Sequence, residues 1–164
     1  MEFLAQLEAT AFATWVREAP TVWAYPTVLF LHTVGLGFLV GGNVAIDLRL
    51  LGVAHRLPLA PLEKLFPYMW AGFWVNALSG AALLVADATT KLTNPVFTIK
   101  MVFVVFGVLN MAWLKRRLFR SPAVERASDS TWGRSVAVSS LLLWIGATVT
   151  GRLMGYLGPV SGLE

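Results

Sequence analysis

The sequence predicts an all-α integral membrane protein, a four-helix bundle preceded by an amphipathic amino-terminal helix lying at the membrane interface. Two features of composition predict it. Hydrophobic residues make up 57% of the 164, and charged residues only 13%, about half the charge density of an ordinary soluble domain. The charges are also gathered between long apolar runs instead of lining one face of each helix. The mean hydropathy of +0.68 agrees, and the length suits a single domain spanning 1–164.

The opening "MEFLAQLEATAFATWVREAP" places apolar residues at helical spacing among Glu2, Glu8, Arg17 and Glu18. It lacks the basic start and small-residue cleavage site of a signal peptide, so it reads as the interfacial helix. Four apolar runs follow, at about 22–48, 67–86, 96–114 and 136–157. Each reaches or exceeds the roughly 20 residues that cross about 30 Å of hydrocarbon. The first is the longest, which implies tilt or an extension beyond the bilayer. Pro20, Pro67 and Pro95 sit at or near helix starts, where the missing N–H does no harm, and Asn94 is placed to cap the third span.

Orientation follows from the loops. Arg49, Arg56 and Lys64 lie between spans one and two, and Lys115, Arg116, Arg117, Arg120, Arg126 and Arg134 between three and four. The amino-terminal segment and the loop holding Asp87 and Lys91 are poor in positive charge. The tendency of basic loops to remain inside predicts a multi-pass protein of a bacterial inner membrane with both termini periplasmic. The net charge of +4 is thereby read as topology, not as a nucleic-acid footprint. Trp23, Tyr25, Trp70, Trp113, Trp132 and Tyr156 stand near span ends as an aromatic belt. Trp74 and Trp144 lie deeper, as core packing or as a pocket wall. Cysteine is absent, which removes disulfides, thiolate metal sites and covalent haem attachment.

The polar residues inside the spans carry the chemistry. His32 lies about ten residues, roughly 15 Å, below the outer end of the first span. Leu36, Leu39 and Asn43 follow on its face, with Asp47 nearby, and Gly35, Gly37, Gly41 and Gly42 thin the helix. Asn76, Ser79 and Gly80 lead outward to Asp87 in the second span. Lys100 is about four residues inside the third, with Gly107 and Met111 on its face. Arg152 is about five residues from the outer end of the fourth, with Thr148, Ile145 and Leu141 along its stripe. Ionisable groups at such depth are expensive and usually face the bundle.

Depth and sign combine into a candidate haem site: a deep neutral imidazole for iron, and shallower cations for two propionates. His32 is the candidate iron ligand, Lys100 and Arg152 the propionate anchors, and Asn76 and Ser79 polar walls. Blander readings stand beside this one. A membrane histidine can serve only to hydrogen-bond across helices, and Lys100 and Arg152 can snorkel to headgroups. Asp47 and Arg49 read as a mutual pair or as loop caps, and His55 in "LGVAHRLP" as solvated. With two histidines on different levels, bis-histidine ligation within one chain is disfavoured. Met69, Met101, Met111 and Met154 are alternative second ligands or packing. Zinc or copper is a weaker reading, since one imidazole beside two cations repels a bare dication.

"YPTVLFLHTVGLGFLVGGNVAIDLRLLG", "YMWAGFWVNALSGAALLVAD", "NPVFTIKMVFVVFGVLNM" and "LLLWIGATVTGRLMGY" resemble a family of small bacterial inner-membrane proteins of unknown function, over about 23–156. More remotely, the layout is similar to the CopD-like and HemJ-like membrane proteins, in which a first-helix histidine precedes paired glycines and an Arg-Leu end. That resemblance implies haem b on His32, a matching lysine at Lys100, and Arg49-Leu50 as the Arg-Leu end. HemJ-like proteins carry further histidines after Arg-Leu, where this chain offers only His55. The expected function is haem b binding with electron transfer or haem-linked redox chemistry, in contact with the bilayer and a redox partner or larger membrane complex. A homo-oligomer packed through the glycine-rich first helix is also open. The alternatives are a non-catalytic subunit that scaffolds such a complex, and a quinone- or proton-linked membrane protein.

Overall fold

A computed structural model describes residues 2–119, 126–127 and 130–156. The described chain is helical: α1 (Glu2–Glu8), α2 (Ala11–Glu18), α3 (Tyr25–Leu50), α4 (Phe66–Val85), α5 (Ala88–Thr93), α6 (Pro95–Leu118) and α7 (Thr131–Leu153), with a 3-10 turn at Ala60–Leu65. Four helices, α3, α4, α6 and α7, are long and apolar enough to cross a membrane. This is a multi-pass membrane protein. Arg120 of the basic loop and Leu157 at the expected end of the last span lie outside the described residues.

The amino-terminal segment forms two short helices in place of one. The break falls at Thr10, whose hydroxyl accepts from the Ala13 N–H at 3.3 Å and caps α2. Ala13 and Val16 are buried, while Phe12 and Trp15 are exposed, so α2 is amphipathic as expected. Both helices are tied to the bundle end they cover. The Thr89 N–H donates to the Glu8 carboxylate at 2.6 Å, and Arg17 Nη1 donates to the Ala86 carbonyl at 3.0 Å.

Helix limits differ from the sequence reading where caps decide them. Pro20 follows the end of α2; it is Pro26 that occupies the first turn of α3. Asn94 does cap α6, its side chain accepting from the Val96 N–H at 2.9 Å. Ser130 caps α7 through the Gly133 N–H at 3.0 Å, so that helix starts five residues before the apolar run. Helix α6 continues through Lys115, Arg116 and Arg117, a C-terminal turn that suits cations. Lys115 lies over the Phe66 ring, and Arg117 over the rings of Trp113 and Trp132.

Lipid tails are as apolar as leucine, so helix association in a bilayer rests on close packing and interhelical hydrogen bonds. The strongest such contact joins α3 to α4. A Cβ on Gly35 would stand 2.6 Å from the Asn76 nitrogen, and one on Gly72 2.8 Å from the Gly35 carbonyl oxygen. Only hydrogens let the two backbones meet. Helices α6 and α7 form the second hairpin, with Gly107 against the Trp144 ring. Helix α3 packs on α7 and so joins the hairpins, with Leu39, Ile46 and Leu50 of α3, Met111 and Leu114 of α6, and Ala137 and Trp144 of α7 buried in one core. Helices α4 and α6 hardly touch. At the basic end Phe66, Phe119 and Leu118 close the gap between the hairpins; at the other end it stays open.

Candidate functional site

That opening is a cavity of about 850 Å³ at the end of the bundle capped by α2 and α5. Its walls are apolar, with Leu36, Leu39, Phe73, Val104 and Trp144 among them. Of the five residues expected to form the site, His32, Asn76, Lys100 and Arg152 line it directly. Ser79 stands behind the imidazole.

His32 is the eighth residue of α3, which begins at Tyr25. It therefore lies about 10 Å along the helix, nearer the end than the sequence implied. Its Nδ1 is 3.0 Å from the Asn76 carbonyl oxygen and 3.2 Å from Ser79 Oγ. The carbonyl can only accept, so Nδ1 carries the hydrogen and Nε2 is the bare nitrogen. Asn76 fastens the contact from the other side, its Nδ2 donating to the His32 carbonyl at 2.7 Å. Ser79 turns its own hydrogen to Val75 O at 2.6 Å, which leaves its lone pairs toward the ring. Gly80 supplies the room, for a Cβ there would stand 3.0 Å from His32 Cε1.

Cations gather around the mouth. Lys100 is half-buried, its stem running past Gly151. Arg152 is exposed in the last turn of α7, one residue from the helix end and so shallower than expected. Lys91 and Arg17 also line the cavity, and neither is among the residues that the sequence singles out for the site. Lys91 donates to the Leu83 carbonyl and lies 3.8 Å from Asp87. Burial holds its pKa below that of an ordinary lysine, with Asp87 opposing the shift. Lys91 and Lys100 bring two like charges to the same cavity. The signal for Lys91 was its place in a short connection between two spans, which has nowhere to lie but across the cavity. Arg17 carried no such signal, because its position depends on how α2 folds back.

Other expectations divide. The stripe of α7 buried in the bundle holds Ala137, Ser140, Trp144 and Ala147; of the expected stripe Thr148 and Arg152 line the cavity, while Ile145 is exposed. Trp144 is both buried and part of the cavity wall, whereas Trp74 is 59% exposed and is neither core nor wall. Met69 and Met111 are core, Met101 is exposed, and Met154 lines the cavity. His55 is exposed in its loop. Asp47 and Arg49 do not pair: two residues apart, they face opposite sides of α3, and Arg49 Nε donates to the Leu57 carbonyl as a loop cap.

No protein-family model, curated protein or solved structure matches this chain. Function therefore rests on the site. Among the described residues no three His, Cys, Asp or Glu side chains converge as metal ligands. The residues present fit an iron porphyrin in kind: one oriented imidazole, apolar walls of pocket size, and cations at the rim.

Proposed function

We propose that the protein binds haem b in this cavity, where His32 Nε2 would hold the iron and Lys100, Arg152, Lys91 and Arg17 would be available to the propionates. The observation that carries the reading is the Nδ1 hydrogen bond of His32 to the Asn76 carbonyl. Histidines that ligate metals typically donate their other ring hydrogen to a carbonyl or carboxylate, which fixes tautomer and ring orientation. Bound haem supplies a one-electron iron centre. The chain itself holds the imidazole in plane through Asn76 and Ser79, excludes water with Leu36, Phe73 and Trp144, and neutralises acid groups at the rim. The role that follows is electron transfer or haem-linked redox chemistry beside a redox partner or within a larger complex. The resemblance to CopD-like and HemJ-like proteins supports haem more than any one oxidase activity. The basic ends of α3 and α6 favour a bacterial inner membrane with the cavity facing the periplasm.

The experiment is an absorption spectrum of the protein purified in detergent from haem-replete cells. A Soret band that shifts on dithionite reduction and is lost in His32→Ala supports the proposal. A colourless preparation overturns it and favours the scaffold.

A further inference from the structure

A second group of polar side chains lies in the half of the bundle away from the cavity, and haem binding makes no use of it. Asn43 and Asp47 are one turn apart on α3, Ser140 lies on α7, and all three are fully buried. Ser140 is buried on the helix that packs against α3, and residues four apart on a helix, as Asn43 and Asp47 are, are neighbours. Among the described residues, both Asp47 carboxylate oxygens, Asn43 Oδ1 and Ser140 Oγ lack any hydrogen-bond partner.

The orientation of each group is informative. Asn43 Nδ2 donates one hydrogen to the Leu39 carbonyl at 2.8 Å, and its oxygen has no partner. Ser139, Thr148 and Thr150 each donate to the carbonyl one turn back, the usual outlet for a hydroxyl in an apolar helix. Ser140 does not. Asn43 Oδ1 and Ser140 Oγ thus join the two Asp47 oxygens as unpartnered buried acceptors on α3 and α7, while Arg49, two residues on, points to the other side of α3. Such oxygens in an apolar interior are costly unless something positive joins them.

We infer that Asp47, Asn43 and Ser140 form a binding site for a monovalent alkali cation such as sodium. The donors are all oxygen, which suits a hard cation. A single carboxylate balances one positive charge, and a divalent ion would leave the second uncompensated in a medium of low dielectric. The site is separate from the cavity. Asp47 is fifteen residues beyond His32 on the same helix, about 22 Å away, so the result below does not depend on whether haem binds.

The test is thermal unfolding of the purified full chain in detergent, with sodium chloride titrated against choline chloride at constant ionic strength and at two pH values. The expected result is a saturable rise in Tm of several degrees with sodium but not choline. Asp47→Asn should abolish the response, and Ser140→Ala should shift its midpoint at least tenfold higher. Should Asp47→Asn fail to fold, Ser140→Ala carries the test alone. Equal Tm in sodium and choline overturns the proposal. So does a Tm that follows pH but not sodium, which would assign a proton to Asp47 instead.

Discussion

Replacing Gly35 by alanine tests the packing that builds the site. A Cβ there would stand 2.6 Å from the Asn76 nitrogen and 2.7 Å from the Gly72 carbonyl oxygen. Both atoms are backbone, so relief requires α3 and α4 to move apart. Overpacking of this kind costs about 1–3 kcal/mol, against which alanine gains about 1 kcal/mol over glycine in helix propensity. At Gly37, two residues on, an added Cβ would meet nothing within 4 Å, so Gly37→Ala collects the propensity gain alone. The two variants should therefore differ by about 1–3 kcal/mol, or roughly 2–12 °C at about 2–4 °C per kcal/mol for a chain of this size. Thermal unfolding in one detergent, both variants side by side, reads the difference. Because Asn76 holds His32, Gly35→Ala should also weaken whatever the imidazole binds. Equal stability of the two variants would refute the close backbone contact.

Four further outcomes follow from the geometry. Lys100→Gln should weaken haem binding about tenfold to a hundredfold, as expected for the loss of a charge-assisted hydrogen bond worth about 1.5–3 kcal/mol. Arg152→Gln, at an exposed position, should cost about 0.2–1 kcal/mol; titration of each variant with haem measures both. Trp144→Ala should destabilise the bundle by about 3–5 kcal/mol, because the ring fills the space over Gly107 and no neighbour can replace it; Tm measures it. Glu8 accepts the Thr89 N–H, and that bond holds its pKa below the ordinary value of 4.5. The stability it adds is present above that pH and lost as pH falls through the lowered value. The difference in Tm between wild type and Glu8→Gln should accordingly shrink on acidification.

Much of the fold was legible because a bilayer leaves few choices. Apolar runs of spanning length, Asn94 before Pro95, and the basic loops fixed four spans and their alternation. The cavity lining was legible in part for the same reason: His32, Asn76 and Lys100 are polar residues that a span does not tolerate facing lipid, and all three line the cavity. What escaped depends on contacts between distant segments. Arg17 reaches the cavity only because α2 folds back to the Ala86 carbonyl. Gly80 matters only because His32 lies opposite. Ile145, expected on the inward stripe, faces outward because α7 packs on Gly107 through Trp144, a rotation that one helix cannot reveal. Asp47 and Arg49 read as a pair from proximity in sequence, yet two steps of about 100° carry them to opposite faces.

The central claim is that His32, held by Asn76, ligates haem in the cavity between the two hairpins. Titration of the haem-free protein with haem tests it most directly, with wild type, His32→Ala and His55→Ala compared. Saturation at one haem per chain is expected in wild type and His55→Ala, and loss of that binding in His32→Ala. Saturable binding that survives in His32→Ala, or that fails in wild type, would contradict it.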